Sequence, residues 1–177
     1  MSDFAAGYSD TPRKKNRIAR YKWAVIAAIT VGAIFFQVYV PRFVGYLSYL
    51  ELPLLVTVYF ALMRRSPTSG VLLGAAIGLA QDSLSSNPLG MFGIVKTLVG
   101  YFAATASQRF DVERGGSRMV LALFFFLFHQ VFYWILARAL LSQPIGLELP
   151  LQLVMAVLNA LVALPLFHIL DKLKVSD

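Results

Sequence analysis

The chain has 177 residues, 58% of them hydrophobic and only 14% charged, with a mean hydropathy of +0.69. Soluble domains carry about a quarter charged residues, so this chain has too few to coat a globule of its size, and soluble enzyme classes are excluded. It has no cysteine and two histidines, which excludes disulfides, thiolate centres and histidine-rich metal sites.

Residues 1–20 are small and polar, then basic at Arg13, Lys14, Lys15, Arg17 and Arg20. Such a stretch cannot bury a core and reads as a disordered cytoplasmic tail. The apolar run that follows, up to Val40, is too long for a signal-peptide core. No A-x-A-like cleavage site closes it, so it is expected to be an uncleaved first membrane helix. A bilayer core takes about 20 apolar residues as a helix. Six segments meet or approach that length, at 22–40, 46–63, 68–84, 91–109, 117–142 and 149–170. Short breaks rich in Pro, Gly, Ser or charge separate them, and no strand-like alternation occurs. Backbone groups in lipid must be satisfied within the segment, which leaves helices. The expectation is an all-α polytopic protein with six transmembrane helices over residues 21–171 and a short cytoplasmic tail at 172–177.

The net charge of +7 is read by position in such a chain, and no nucleic-acid partner is expected. With the amino terminus inside, the inner side gathers Arg13, Lys14, Lys15, Arg17, Arg20, Lys22, Arg64, Arg65, Arg109, Arg114, Arg118, Lys172 and Lys174. The outer connections hold only Arg42, while Lys96 and Arg138 fall inside segments. The positive-inside rule then places both termini in the cytoplasm. Tyr21 and Trp23 mark the inner interface; Tyr39, Tyr46, Tyr49, Tyr133 and Trp134 gather toward the outer one.

The third segment carries Gly70, Gly74, Gly78 and Asp82 at four-residue steps. On a helix these form one smooth stripe that ends in a carboxylate. Small residues so spaced let two backbones approach closely, either within the bundle or against a partner subunit. A weaker stripe of the same kind, Ala24, Ala28 and Gly32, runs along the first segment.

Glu51, Asp82, Lys96 and Arg138 fall inside predicted spans, all in the outer half of the bilayer. A charge at a helix centre costs roughly 2.5–3.5 kcal/mol on insertion scales. Glu51, Asp82 and Lys96 therefore form either an internally paired polar cluster beside an outer cavity or a set of snorkelling side chains. Asp82 and Lys96 are expected to pair, since the short connection between them makes their helices antiparallel neighbours. Arg138 suits snorkelling. His129 interrupts a phenylalanine run, 124–128, and is expected to hydrogen-bond a neighbouring helix, while the run itself faces lipid. Pro53 and Pro165 are expected to kink the second and sixth helices. No nucleophile elbow, HExxH, phosphate loop or dinucleotide fingerprint is present, so neither an enzyme nor a cofactor is expected.

Several stretches together resemble the rod shape-determining protein MreD family. They are residues 52–62, the glycine stripe ending in Asp82, Pro88-Leu89-Gly90, and residues 96–101. The basic tail, six segments and overall length are similar as well. Family members often carry an acidic or amide residue after the proline matching Pro53; here Leu54 follows and Glu51 precedes. The resemblance implies a non-enzymatic membrane subunit of the bacterial cell-elongation machinery. It also implies association with the periplasmic protein MreC, alongside MreB, RodA and a penicillin-binding transpeptidase. The family is in turn similar in fold to the substrate-binding S components of energy-coupling-factor vitamin transporters, which supplies the alternative function.

Overall fold

The computed structural model describes residues 21–85, 88–141, 146 and 148–174. The expected amino-terminal tail at 1–20, the middle of the 85–88 turn, most of the 143–148 connection and residues 175–177 lie outside the described residues. Six α-helices carry the fold: α1 (Trp23–Tyr39), α2 (Leu52–Arg64), α3 (Pro67–Leu84), α4 (Met91–Ala106), α5 (Gly115–Leu141) and α6 (Leu149–Asp171). Two 3-10 turns, Val40–Arg42 and Gly45–Tyr49, link α1 to α2. Among the described residues there is no strand.

Four stretches are long and apolar enough to cross a bilayer: Trp23–Arg42, Gly45–Arg64, Gly115–Leu140 and Leu149–Asp171. The partners α3 and α4, of 18 and 16 residues, span about 27 and 24 Å at 1.5 Å per residue. The expected six apolar segments are therefore six helices of unequal length. Among the described residues, α3 and α4 make the most extensive helix–helix contact.

The second segment departs from its expected bounds. Residues 46–63 do not form one helix, because Gly45–Tyr49 is a 3-10 turn and α2 begins only at Leu52. Pro53 explains this. Its missing N–H and fixed φ suit the first turn of a helix and break an interior. It starts α2 rather than kinking it. Pro165 does lie inside α6, where it leaves the Leu161 carbonyl without its usual donor.

The turn from α2 into α3 is compact. Arg65 closes α2 with a left-handed φ of 52°, and the Ser66 side chain accepts from the Ser69 N–H before Pro67 opens α3. Core burial centres on α2, whose residues from Pro53 to Met63 are all buried. A helix that is apolar all round belongs in the middle of a bundle. The phenylalanine run of α5 does not face lipid as a block. Phe124 is exposed while Phe125 and Phe126 are buried, because successive side chains on a helix point about 100° apart.

Candidate functional site

The glycine stripe meets α4 of the same chain. A Cβ added at Gly70, Gly74 or Gly78 would fall well inside 3.0 Å of backbone atoms of Gly100, Lys96 and Phe92 respectively. Only hydrogen fits at these three positions, so α3 and α4 are packed backbone to backbone. By contrast, Ala24 and Ala28 are exposed on α1, and nothing lies within 4 Å of a Cβ built at Gly32. This second stripe is exposed along its length.

The basic end of the bundle is tied by a network that sequence reading missed. Arg118 of α5 donates to the carboxylate of Asp171 on α6 and, through Nε, to the Val112 carbonyl at 2.6 Å. Tyr59 of α2 donates to Asp171 Oδ1 at 2.8 Å and lies 2.6 Å from the Tyr21 hydroxyl. Lys174 reaches the same carboxylate at 2.6 Å, and Arg64 lies over the Trp23 ring at 4.2 Å. Three side chains, Arg118, Tyr59 and Lys174, thus converge on one aspartate.

The opposite end holds the charged residues predicted to cluster, but with different partners. Asp82 does not pair with Lys96. Its carboxylate accepts N–H bonds from Gly90 (3.0 Å), Phe92 (3.1 Å) and Gly93 (2.9 Å), at the start of α4. The first amides of a helix lack intrahelical partners and carry the positive end of its dipole. A carboxylate one short turn away satisfies three of them. Gly90, with φ of 95°, adopts the left-handed backbone that brings these amides around.

Lys96 is fully buried. Its Nζ lies 3.9 Å from Glu51 Oε2, 3.5 Å from His129 Nε2 and 4.3 Å from the centre of the Phe92 ring. Internal pairing, rather than snorkelling, therefore describes Lys96. Glu51 is not inside α2 but immediately before it, at the N-cap, without a side-chain cap bond. Its backbone N–H donates to Asn159 of α6 at 2.9 Å, and the Asn159 amide donates to the Tyr49 and Met155 carbonyls. In the sequence Asn159 stands only as one of two amides, with Gln152, in an otherwise largely apolar helix. His129 does meet a neighbouring helix, through Lys96, and its ring stacks on Phe92. Arg138 is exposed, with its guanidinium over Trp134 at 4.8 Å.

At the end of the bundle away from Asp171, between α1, α2, α3 and α4, lies a cavity of about 290 Å³, lined by Gln37, Arg42, Glu51, Gln81, Ser85 and Phe92 among others. Among the described residues, no group of His, Cys, Asp and Glu is placed to hold a metal ion. These polar groups can hold helix ends together and offer hydrogen bonds to an occupant of that cavity.

The model of one family, described as rod shape-determining protein MreD, matches residues 17–174 of this chain. No curated protein and no solved structure matches it. The expected likeness to vitamin-transporter S components accordingly gains no support from these comparisons.

Proposed function

Because the chain belongs to the rod shape-determining MreD family, we propose that it is a non-enzymatic subunit of the cell-elongation complex in the bacterial inner membrane. It links the periplasmic scaffold MreC to cytoplasmic MreB filaments and to the synthases RodA and a penicillin-binding transpeptidase. The family match over residues 17–174 carries this reading. The fold is in keeping with it: the polar groups serve helix ends, as Asp82 does for α4 and Asp171 for the basic end. That is the behaviour of a scaffold.

Both termini lie in the cytoplasm in this reading. Arg64, Arg65, Arg109, Arg114, Lys172 and Lys174 share one end of the bundle, and only Arg42 stands in the connections at the other. The exposed Ala24, Ala28 and Gly32 face of α1 offers a membrane helix of MreC a surface for close approach. Depletion in a rod-shaped host tests the proposal. Rounded cells with misplaced wall synthesis are expected, and unchanged rods would overturn it.

A further inference from the structure

Five buried side-chain polar atoms among the described residues lack a hydrogen-bond partner, and three of them belong to residues lining the one polar cavity described above. They are Gln37 Oε1, Glu51 Oε2 and Gln81 Oε1. Gln81 is only 3% exposed. All three atoms are acceptors, and an acceptor left unmade in a low-dielectric setting is costly. Glu51 Oε2 is answered only by the Lys96 ammonium at 3.9 Å, beyond hydrogen-bond distance.

The charges at this end point the same way. Of the residues lining the cavity, Glu51 brings a carboxylate and Arg42, at the rim, a guanidinium, and the carboxylate lacks a hydrogen-bonded partner at Oε2. An occupant that carries N–H donors and one positive charge answers that carboxylate and the two amide oxygens. At the rim stands Arg42, exposed on the 3-10 turn after α1, with its guanidinium 5.2 Å from the centre of the Tyr39 ring. Among the described residues it makes no ion pair. A guanidinium so placed presents a fork suited to phosphate.

We propose that this cavity takes the headgroup of an ethanolamine phospholipid, its primary ammonium donating to Gln37, Glu51 and Gln81 and its phosphate resting against Arg42. An ammonium has three N–H donors, matching the three unpartnered oxygens. The two-carbon link to the phosphate carries the second charge back toward the rim. The bilayer brings this ligand to the mouth of the cavity, so no separate delivery is needed. The site uses the Gln37 end of α1, beyond the exposed Ala24, Ala28 and Gly32 stripe, and stands whether or not that stripe binds MreC.

The test is native mass spectrometry of the purified full-length protein with ethanolamine, choline and glycerol phospholipids of identical acyl chains. A choline headgroup keeps the positive charge but has no N–H donor, and a glycerol headgroup has neither. The expected result is retention of the ethanolamine lipid over both others by about tenfold or more, the size of one to two charge-assisted hydrogen bonds. Glu51→Gln and Gln81→Leu should each bring the ethanolamine-to-choline ratio toward one. Gln152→Leu removes an equally unpartnered oxygen outside the cavity and should leave the ratio unchanged. Equal retention of ethanolamine and choline lipids by the wild-type protein would overturn the proposal without recourse to any variant. A preference untouched by Gln81→Leu in folded protein would also overturn it. So would complete displacement of the lipid by free ethanolamine at matching concentration, which would make the site one for soluble amines.

Discussion

Replacing Gly74 by alanine adds a single methyl group at the tightest kind of contact in the protein. Its Cβ would lie well inside 3.0 Å of the Lys96 carbonyl group and 3.0 Å from the Thr97 Cα. Ordinary contact begins near 3.4 Å, so α3 and α4 would have to part by roughly an ångström, which close-packed interiors resist. The neighbour is backbone, so no rotamer change relieves the clash, and separation at Gly74 also loosens the contacts of Gly70 with Gly100 and of Gly78 with Phe92 and Gly93. Overpacking of this kind costs about 1–3 kcal/mol, while exchanging glycine for alanine in a helix returns up to about 1 kcal/mol. The net loss should be about 1–2 kcal/mol, read as a fall in melting temperature of roughly 2–8 °C for the purified protein in detergent. Gly32→Ala is the internal control, because nothing lies within 4 Å of its Cβ; it should melt at or slightly above the wild-type temperature. If Gly74→Ala melted as high as wild type, the backbone-to-backbone seam would be refuted.

Glu51→Leu and Lys96→Leu should each lower the yield of folded protein, and the double variant should lose less than the sum, with a coupling above about 0.5 kcal/mol; strict additivity would deny their pairing. Asp82→Leu combined with Lys96→Leu should instead be near additive, since the two side chains serve different partners. Asp171→Leu removes the acceptor shared by Arg118, Tyr59 and Lys174 and should cost about 1–3 kcal/mol of stability, discounted for partial exposure, measured by thermal unfolding; a loss under half of that would demote the network. A periplasm-active reporter fused at Pro88 should be active and one fused at Arg65 inactive, and the reverse pattern would invert the proposed orientation.

What could be read in the sequence followed from local periodicity, and what could not depended on which groups the folded chain brings into reach. The four-residue glycine step is a local signal, and the seam it foretold is present as the α3–α4 contact. Its alternative, a seam for a partner subunit, was undecidable until α4 was seen to fill the stripe. The Arg118, Tyr59 and Asp171 network joins residues 53 and 112 positions apart, and a lone arginine at the start of a helix reads as an ordinary positive-inside charge. The Asp82 misreading is the more instructive one. The neighbourhood matches: α3 and α4 are adjacent, and both residues sit toward the same end. Pairing side-chain charges alone leaves out the backbone. Three unsatisfied amides at the start of α4, oriented by the helix and by the left-handed Gly90, offer a carboxylate more hydrogen bonds than one ammonium about a turn deeper. With Asp82 claimed by the amides, Lys96 turned to Glu51 and His129. That choice leaves Glu51 Oε2 outside hydrogen-bond reach of any protein donor, and so the capping of one helix creates the open acceptor on which the cavity's chemistry depends.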